Sequence, residues 1–259
     1  MADLLVGRRP VTERKRIGLL VPSTNTVAEP DFWRLVPEGV TVHSARMFAS
    51  TSTVEAEERM NQDVDECARY LATAGIHVVV YACTGGSFYK GPGFDHELLG
   101  RLSEITGVPA VVTSLAVAEA LRHLGLNKLA VVTPYPDEPG EETELLQGYL
   151  EGYGFQVVSR AGKGLGKVSN REIGNDPPDA VYEFATQHWN RDADGMFVSC
   201  TDWRALEIAE RLERAIAKPV VTSNQATIWA TLRVLGVNRP IQGYGRLFEE
   251  LALVARQTA

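Results

Sequence analysis

The chain has 259 residues, of which 44% are apolar and 23% are charged, and its net charge at pH 7 is −7. This composition is typical of a globular protein with a large core, and it excludes a disordered or coiled-coil protein. The acidic balance, without a stripe of aromatic and basic residues, argues against a nucleic-acid-binding surface.

The sequence also carries no recognisable targeting or membrane signal. The first fifteen residues include the basic run GRRPVTERKR and lack the apolar core of a signal peptide. No apolar run approaches the roughly 18 residues of a membrane span. Three cysteines, an odd number, do not form a disulfide framework. We therefore expect a cytoplasmic protein with reduced thiols.

Short runs of β-branched residues alternate with helical patterns along the whole chain. The runs lack clean alternation of apolar and polar residues, which favours parallel strands buried on both faces. The predicted strands are 16–21, 40–46, 77–82, 110–113, 129–133, 155–159, 195–199 and 219–222. Helices are predicted between them, for instance at 53–75 and 142–154, where Gly75 and Gly154 suit helix C-caps.

The second part of the chain repeats the first. Four pairs of segments match in the same order, which indicates a pseudo-twofold protein. The pairs are 16–25 with 128–137, 40–47 with 155–162, 77–86 with 195–203, and 108–126 with 218–237. The predicted fold class is α/β, with two Rossmann-like βαβ halves that each contain a parallel sheet and face one cleft. We predict that the first half is 15–117 plus 225–259 and the second half 118–224.

Two cysteines occupy corresponding places in this repeat. Cys83 in YACTGGS and Cys200 in FVSCTDW each end an apolar run and are each followed by threonine. Ligands of open parallel sheets bind beyond the carboxyl ends of the strands, so both thiols are expected in one cleft. A helix that begins after each cysteine would lower the thiol pKa and would offer the amides of 84–86 and 201–203 to a carboxylate. The alternative is that both cysteines are buried and structural.

Other residues with possible chemistry are explained more simply. Cys67 lies in mid-helix on the face of Val64 and Leu71, so it is expected to pack in the core. The five histidines show no ligand spacing, and no metal site is predicted. The glycine-rich stretch AGKGLGKVS does not match a phosphate-binding motif, and we expect a mobile loop that closes over the substrate.

Several motifs together resemble a known family. VPSTNTVAEPDF, YACTGGS, TPYP, KVSN and SCTDWRALE are similar to motifs of the aspartate/glutamate racemase superfamily, and within it to the maleate cis-trans isomerase and arylmalonate decarboxylase branch. The resemblance extends from about Arg16 to Arg256. SCTDWRALE followed by KPVVTSNQA also resembles the ectoine-utilisation relatives of maleate isomerase.

The resemblance implies a cofactor-free isomerase that converts maleate, or a related small dicarboxylate, to fumarate. Cys83 would add to the double bond as a thiolate and form a covalent succinyl adduct that can rotate. Cys200 would protonate the neighbouring carbon and later remove that proton. The residues implied to bind the substrate are Asn25, Thr84, Gly85, Tyr135, Asn170, Thr201 and Asp202. No metal or organic cofactor, nucleic acid or membrane is implied, and the family habit is a homodimer or a higher homo-oligomer.

Other interpretations stay open at this point. A racemase or epimerase of amino or hydroxy acids would use the same two thiols as acid and base on opposite faces of an α-carbon. A decarboxylase of the arylmalonate type is less favoured, because those relatives keep only the second cysteine, and a binding module would not need matched cysteines. Asn25 could merely cap a helix, and Tyr135 could merely shape a turn.

Asp202 leaves the substrate open. Its charge should raise the pKa of the Cys200 thiol and help to keep it protonated. The same acid could mean that this end of the site accepts a neutral or hydroxylated group in place of a second carboxylate.

Overall fold

The computed structural model describes residues 14–251, which contain two four-stranded parallel sheets. The first sheet has the order β2-β1-β3-β4 and the second the order β6-β5-β7-β8, so the two repeat one topology. The strands of the first sheet are β1 (Lys15–Pro22), β2 (Val40–Met47), β3 (Val78–Tyr81) and β4 (Ala110–Val112). Those of the second are β5 (Lys128–Thr133), β6 (Gln156–Gly162), β7 (Gly195–Val198) and β8 (Val220–Thr222).

The strands form where the apolar runs predict them. Every residue of β3 and β7 is buried, because helices cover both faces of each sheet, and this explains why the sequence shows no two-residue alternation. β3 pairs in parallel with β1, and β7 pairs with β5 in the equivalent way. The predicted α/β fold class with two parallel sheets is confirmed.

Helices connect the strands and lie on both faces of the sheets. Those before β5 are α1 (Ala28–Leu35), α2 (Val54–Asn61), α3 (Val64–Thr73), α4 (Gly85–Phe88), α5 (Phe94–Thr106) and α6 (Thr113–His123). Those after it are α7 (Glu142–Gly152), α8 (Arg171–Gly174), α9 (Pro178–Gln187), α10 (Ala209–Ile216), α11 (Ser223–Val234) and α12 (Arg246–Glu249). A 3₁₀ turn, Leu206–Ile208, precedes α10.

The single helix predicted at 53–75 is wrong in one respect, because the segment forms two helices, α2 and α3. The break occurs at Gln62 and Asp63, whose N–H groups bond to carbonyls three residues earlier and tighten the turn. The Asp63 carboxylate accepts the N–H of Phe48 at 2.8 Å and so ties the break to the end of β2. Gly75 and Gly154 have φ of 61° and 89°, as expected of residues just beyond a helix end.

The two halves share a core at the pair α6 and α11. α11 follows the last strand of the second sheet but packs on α6, and Thr227 of α11 donates to Thr113 of α6 at 3.0 Å. Nearly every residue of α11 is buried, including Trp229, so the helix fills the space between the sheets. The division into 15–117 plus 225–259 and 118–224 stays a prediction, and 252–259 lie outside the described residues. Within the described range, no helix is both long and apolar enough to cross a bilayer.

Candidate active site

The two cysteines of the repeat line one small cavity. β3 and β7 are inner strands of their sheets, and Cys83 and Cys200 each come two residues after the strand end. The cavity has a volume of about 20 Å³, close to that of one water molecule. Its lining residues are Pro22, Thr24, Asn25, Ala49, Ser52, Glu57, Met60, Cys83, Tyr135, Asn170, Ile173, Cys200, Thr201 and Asp202.

The residues that the resemblance implied for the site lie together. Asn25, Tyr135, Asn170, Thr201 and Asp202 line the cavity with the two cysteines. Thr84 and Gly85 are buried beside Cys83 but are not among the residues that line the cavity. A Cβ at Gly85 would meet the carboxyls of Glu57 and Glu142. The amides of the first helical turn have no carbonyl of a preceding turn to bond, so those at the start of α4 are suited to bind an anion.

A larger groove of about 530 Å³ lies elsewhere, between β4, α6 and α11. It is mostly apolar, and its two charged residues, Glu119 and Arg233, form an ion pair with each other. Neither the cysteines nor any residue of the small cavity lines it. Volume is therefore a poor guide to the reactive site in this protein.

Cys83 is held between a backbone amide and a carboxylate. Its Sγ accepts the N–H of Gly86 at 3.4 Å and lies 3.7 Å from Oε2 of Glu57 and 3.9 Å from Oε1. The glycines after Cys83 make room for this carboxylate. A Cβ at Gly85 would lie 2.8 Å from Glu57 Oε1, and one at Gly86 would lie 2.8 Å from Oε2 and 2.2 Å from the Tyr81 hydroxyl.

Cys200 has an unusual backbone conformation, with φ at 98°. Such a value is costly for a residue with a side chain and is commonly retained at functional sites. The Cys200 N–H donates to Ser223 Oγ at 3.0 Å, and the Cys200 Sγ accepts the N–H of Asp202 at 3.3 Å. The tight turn at 200–203 therefore fixes the orientation of both the Cys200 N–H and the Cys200 thiol.

Hydrogen bonds join the two cysteine loops across the halves. Thr84 Oγ1 donates to the same Ser223 Oγ at 2.9 Å, and Thr201 Oγ1 donates to the Ala82 carbonyl at 3.2 Å. Asn224 donates to the Thr201 carbonyl at 2.9 Å. These buried bonds fix the position of one cysteine loop relative to the other.

Asn25 has both of the roles considered for it. Its Oδ1 accepts the N–H groups of Val27 and Ala28 at 3.0 and 2.9 Å, so it does cap the start of α1. Its Nδ2 donates to Thr201 Oγ1 at 3.1 Å, which points the amide at the other half and leaves its second N–H beside the cavity.

Asn170 joins the glycine-rich loop to the first half. Its N–H donates to the Ser50 carbonyl at 3.1 Å, and Ser52 Oγ donates to its Oδ1 at 2.7 Å. The N–H of Ser52 donates to the Gly166 carbonyl at 3.2 Å. The segments 50–52 and 166–170 thus close one side of the cavity.

The pKa of Cys83 does not follow the expectation from the sequence. Burial raises the pKa of this thiol well above its usual range, the Glu57 carboxylate raises it further, and only the Gly86 N–H opposes them. A lowered pKa was the wrong expectation, because α4 has only four residues and its N-terminus does not offset burial beside an acid.

The pKa of Cys200 is raised for a related reason. Burial has the largest effect and the Asp202 charge the next, while the Tyr135 hydroxyl and the Asp202 N–H lower the pKa. The predicted influence of Asp202 is confirmed. Cys200 therefore stays a thiol at neutral pH.

Three carboxyls lie around the thiols, and two of them were missed in the sequence. Burial raises the pKa of Glu57 to about 7, and burial raises that of Asp202 to about 7 against hydrogen bonds from the amides of Thr26 and Val27. Burial and the nearby Glu57 raise the pKa of Glu142 well above its usual range. Neither carboxylate oxygen of Glu142 has a hydrogen-bond partner among the described residues.

A signal for Glu57 does exist in the sequence. In 53–75 this acid shares one helical face with Met60 and Val64, at spacings of three and seven residues, and an acid on an apolar face is seldom buried without a role. Ser223 occupies in 218–237 the place that Ser114 occupies in 108–126. The internal repeat could therefore have identified Ser223 as a candidate site residue. Glu142 shows no such pattern.

The buried carboxyls predict how stability depends on pH. The buried carboxyls whose pKa is raised to about 7 or higher are Asp31, Glu57, Glu142 and Asp202. Near pH 6 the folded chain keeps protons on these groups that the unfolded chain, with carboxyl pKa near 4, has lost. The free energy of unfolding must therefore fall as the pH rises from 5 to 8.

We expect the Tm to fall by about 5 to 10 °C over this range. Thermal unfolding followed by circular dichroism at each pH measures it. Glu142→Gln, which removes one of these titrations at constant shape, should flatten the slope. A Tm that is constant or rises between pH 5 and pH 8 would contradict this prediction.

Comparison with known proteins agrees with the motifs. The family model of arylmalonate decarboxylase matches residues 17–248. The maleate isomerase of Nocardia farcinica is 30% identical over 246 residues, which cover 91% of this chain and 96% of that protein. The arylmalonate decarboxylase of Bordetella bronchiseptica is 30% identical over 237 residues, which cover 90% and 96%.

A solved structure gives the same relationship in three dimensions. The Nocardia farcinica maleate cis-trans isomerase, as a cysteine-to-serine mutant with a covalently bound succinylcysteine intermediate, superposes with a TM-score of 0.84 at 28% identity. The match covers 91% of this chain and 98% of that one. Because the family model matches nearly the whole described range, this chain belongs to the arylmalonate decarboxylase family, and it is similar over the same range to maleate isomerases.

Proposed function

We propose that this protein is a cis-trans isomerase that converts maleate, or a related small dicarboxylate, to fumarate without a cofactor. The observation that carries the proposal is the meeting of Cys83 and Cys200, from corresponding strand ends of the two halves, in one cavity. A succinylcysteine in the related enzyme from Nocardia farcinica supports a covalent route.

The two cysteines have different tasks in this reaction. Cys83 Sγ attacks one carbon of the double bond, while the Cys200 thiol delivers its proton to the other. The former double bond is then a single bond and rotates. Cys200 removes the proton, the carbon–sulfur bond breaks, and the trans acid leaves. The high pKa of Cys200 supports its assignment as the proton donor.

The polar groups around the thiols are suited to hold the substrate. The free N–H of Asn25 and the hydroxyl of Tyr135, both on residues that line the cavity, are donors for carboxylate oxygens. Asn170 closes the cavity through its bonds to 50–52. A cavity of about 20 Å³ is too small for a four-carbon acid, so the glycine-rich loop must open for the substrate to enter.

Proton NMR of the purified protein with maleate tests the proposal. We expect the olefinic signal of maleate to be replaced by that of fumarate, and Cys83→Ala to prevent the conversion. The assay in deuterated buffer should include malate and aspartate. Absence of conversion, together with exchange of the α-proton of a saturated acid, would overturn the isomerase and select the racemase.

One observation favours that second candidate, a racemase or epimerase of amino or hydroxy acids. Among the described residues that line the cavity there are two acids, Glu57 and Asp202, and no lysine, arginine or histidine. A doubly charged substrate finds no cationic partner in such a lining, whereas an amino or hydroxyl group could donate to either carboxylate. The NMR experiment separates the two reactions.

The small-molecule substrate is common to both candidates. A cytoplasmic location and assembly into a homodimer or a higher homo-oligomer stay predictions from the sequence and the resemblance, as does independence of metals and cofactors.

A further inference from the structure

The proposed nucleophile, Cys83, needs a neighbouring group that makes its thiol reactive. A cysteine needs a nearby cation, a helix N-terminus or a base to become a thiolate at neutral pH. The groups that act on the Cys83 pKa besides burial are Glu57, Gly86, Cys200 and Glu142, and no cation is among them. Because the Gly86 N–H does not offset burial, activation requires a base.

Glu57 is the only carboxylate within hydrogen-bond reach of Cys83 in the described part of the chain. Its Oε2 and Oε1 lie 3.7 and 3.9 Å from Sγ, within the usual range for a thiol donor. The side chain is buried and lines the cavity. A base in this position touches both the nucleophile and the space that the substrate must occupy.

The fold holds Glu57 in place through its neighbour Asn61. Asn61 Nδ2 donates to the Glu57 carbonyl at 2.9 Å and to the Gly86 carbonyl at 3.1 Å, and its Oδ1 accepts the Tyr81 hydroxyl at 2.9 Å. One amide therefore ties α2 to β3 and to the turn after Cys83. The pair of Glu57 and Cys83 is fixed by buried hydrogen bonds from both sides.

Among the described residues, no lysine, arginine or histidine forms an ion pair with the Glu57 carboxyl. The titratable groups that face it are Cys83, Glu142, Tyr81 and Tyr89, all of them acids. Within residues 14–251, the carboxylate's hydrogen bonds go to the Cys83 thiol alone. A buried carboxyl with one weak partner is costly to the fold, which is expected of a group retained for chemistry.

We propose that Glu57 is the general base that takes the proton of the Cys83 thiol as its sulfur attacks the substrate. This rests on the proposed function. The S–H bond breaks, an O–H bond forms on Glu57, and the S–C bond forms. The π electrons move to the neighbouring carbon, which takes the Cys200 proton. The negative charge thus passes from Glu57 to the Cys200 sulfur, and reversal after rotation restores both groups.

Alkylation of Cys83 by iodoacetamide, measured by peptide mass spectrometry between pH 5.5 and pH 9.5, tests this without a substrate. In the wild type we expect the rate to rise through pH 7, where Glu57 ionises. In Glu57→Gln the rate at pH 7 should fall at least tenfold and rise only in alkaline solution. Glu57→Asp, which keeps a carboxylate, should recover part of the rate.

If Glu57 acts only by repelling the thiolate, the alkylation rate of Cys83 should change in the opposite direction. If its charge merely repels the thiolate, Glu57→Gln lowers the pKa of Cys83 and speeds alkylation at pH 7. A rate in Glu57→Gln that equals or exceeds the wild-type rate therefore overturns the proposal. Glu58→Gln, on the exposed face of the same helix, is the matched control and should behave as the wild type.

The kinetics of the isomerase give a second readout. Glu57→Gln should lower kcat with maleate by about a hundredfold or more while KM changes little, because the lost step is proton transfer. If the wild type does not convert maleate but alkylation of Cys83 still depends on Glu57, the reaction assigned to the site is wrong and the role of Glu57 as a base stands. If the wild type converts maleate and Glu57→Gln retains both full kcat and fast alkylation, the isomerase stands and only the assignment of Glu57 as the base is wrong.

Discussion

Replacing Cys83 with serine is expected to lower kcat for maleate by at least about a thousandfold, and Cys200→Ser should cost a similar factor. Serine has nearly the same shape, but its hydroxyl ionises far less readily than a thiol and is a poor nucleophile without a strong base. The two losses should not add, because the thiols act in one sequence of steps. Cys67→Ser, on the buried face of α3, is the control and should retain full kcat.

Mass spectrometry distinguishes the roles of the two thiols. In Cys200→Ser the adduct on Cys83 loses its proton carrier, so incubation with maleate should leave an added mass of one maleic acid on the peptide of Cys83. In Cys83→Ser, the same mass on the Cys200 peptide would reverse the assignment. Full activity of Cys83→Ser would contradict the covalent mechanism altogether.

Gly162→Ala is expected to destabilise the protein by about 2 to 4 kcal/mol. An ideal Cβ at Gly162 would lie 2.3 Å from the Tyr135 carbonyl oxygen and 2.9 Å from the Asp137 nitrogen, and both are backbone atoms that cannot rotate away. The N–H groups of Gly164 and Leu165 also bond to this loop, at Tyr135 O and Pro134 O. The alanine must therefore displace the loop that presents Tyr135 to the cavity.

The displacement should affect catalysis as well as stability. A shift of about 1 Å in a positioned group can cost about a hundredfold in rate, so kcat should fall even under conditions in which the variant is folded. Urea denaturation measures the stability. Gly148→Ala is the matched control, because a Cβ there meets no atom within 4 Å and the site is on the exposed face of α7. It should raise stability by up to about 1 kcal/mol. Equal stability of the two variants would contradict the clash.

The helices show where local pattern stops being informative. The sequence between 53 and 75 has one continuous helical period, and only the contact of Asp63 with Phe48 at the end of β2 shows that two helices are needed. The spacing of Cys67 with Val64 and Leu71 was sufficient to predict that Cys67 packs in the core, because all three are buried on one face of α3.

The candidate site also contains both residues that the sequence indicates and contacts that only the fold creates. Both cysteines could be selected because they follow strands, and the carboxyl ends of parallel strands meet at one edge. Asn25 and Tyr135 were selected through the family resemblance of their motifs. Glu57 reaches Cys83 from 26 residues away in the chain. That contact depends on how α2 packs against the turn after β3, which no motif encodes. Their functional roles stay predictions until the variants are measured.

The sequence by itself determined the α/β architecture, the internal repeat and the pair of thiols, since these depend on apolar runs and on residues at fixed places in a repeat. Only the tertiary structure decided the electrostatics of the site. The pKa of a thiol or a carboxyl depends on its burial and on charges brought near by folding. For this reason the sequence correctly paired Cys83 with Cys200 but gave the wrong direction for the Cys83 pKa and omitted the acid beside it.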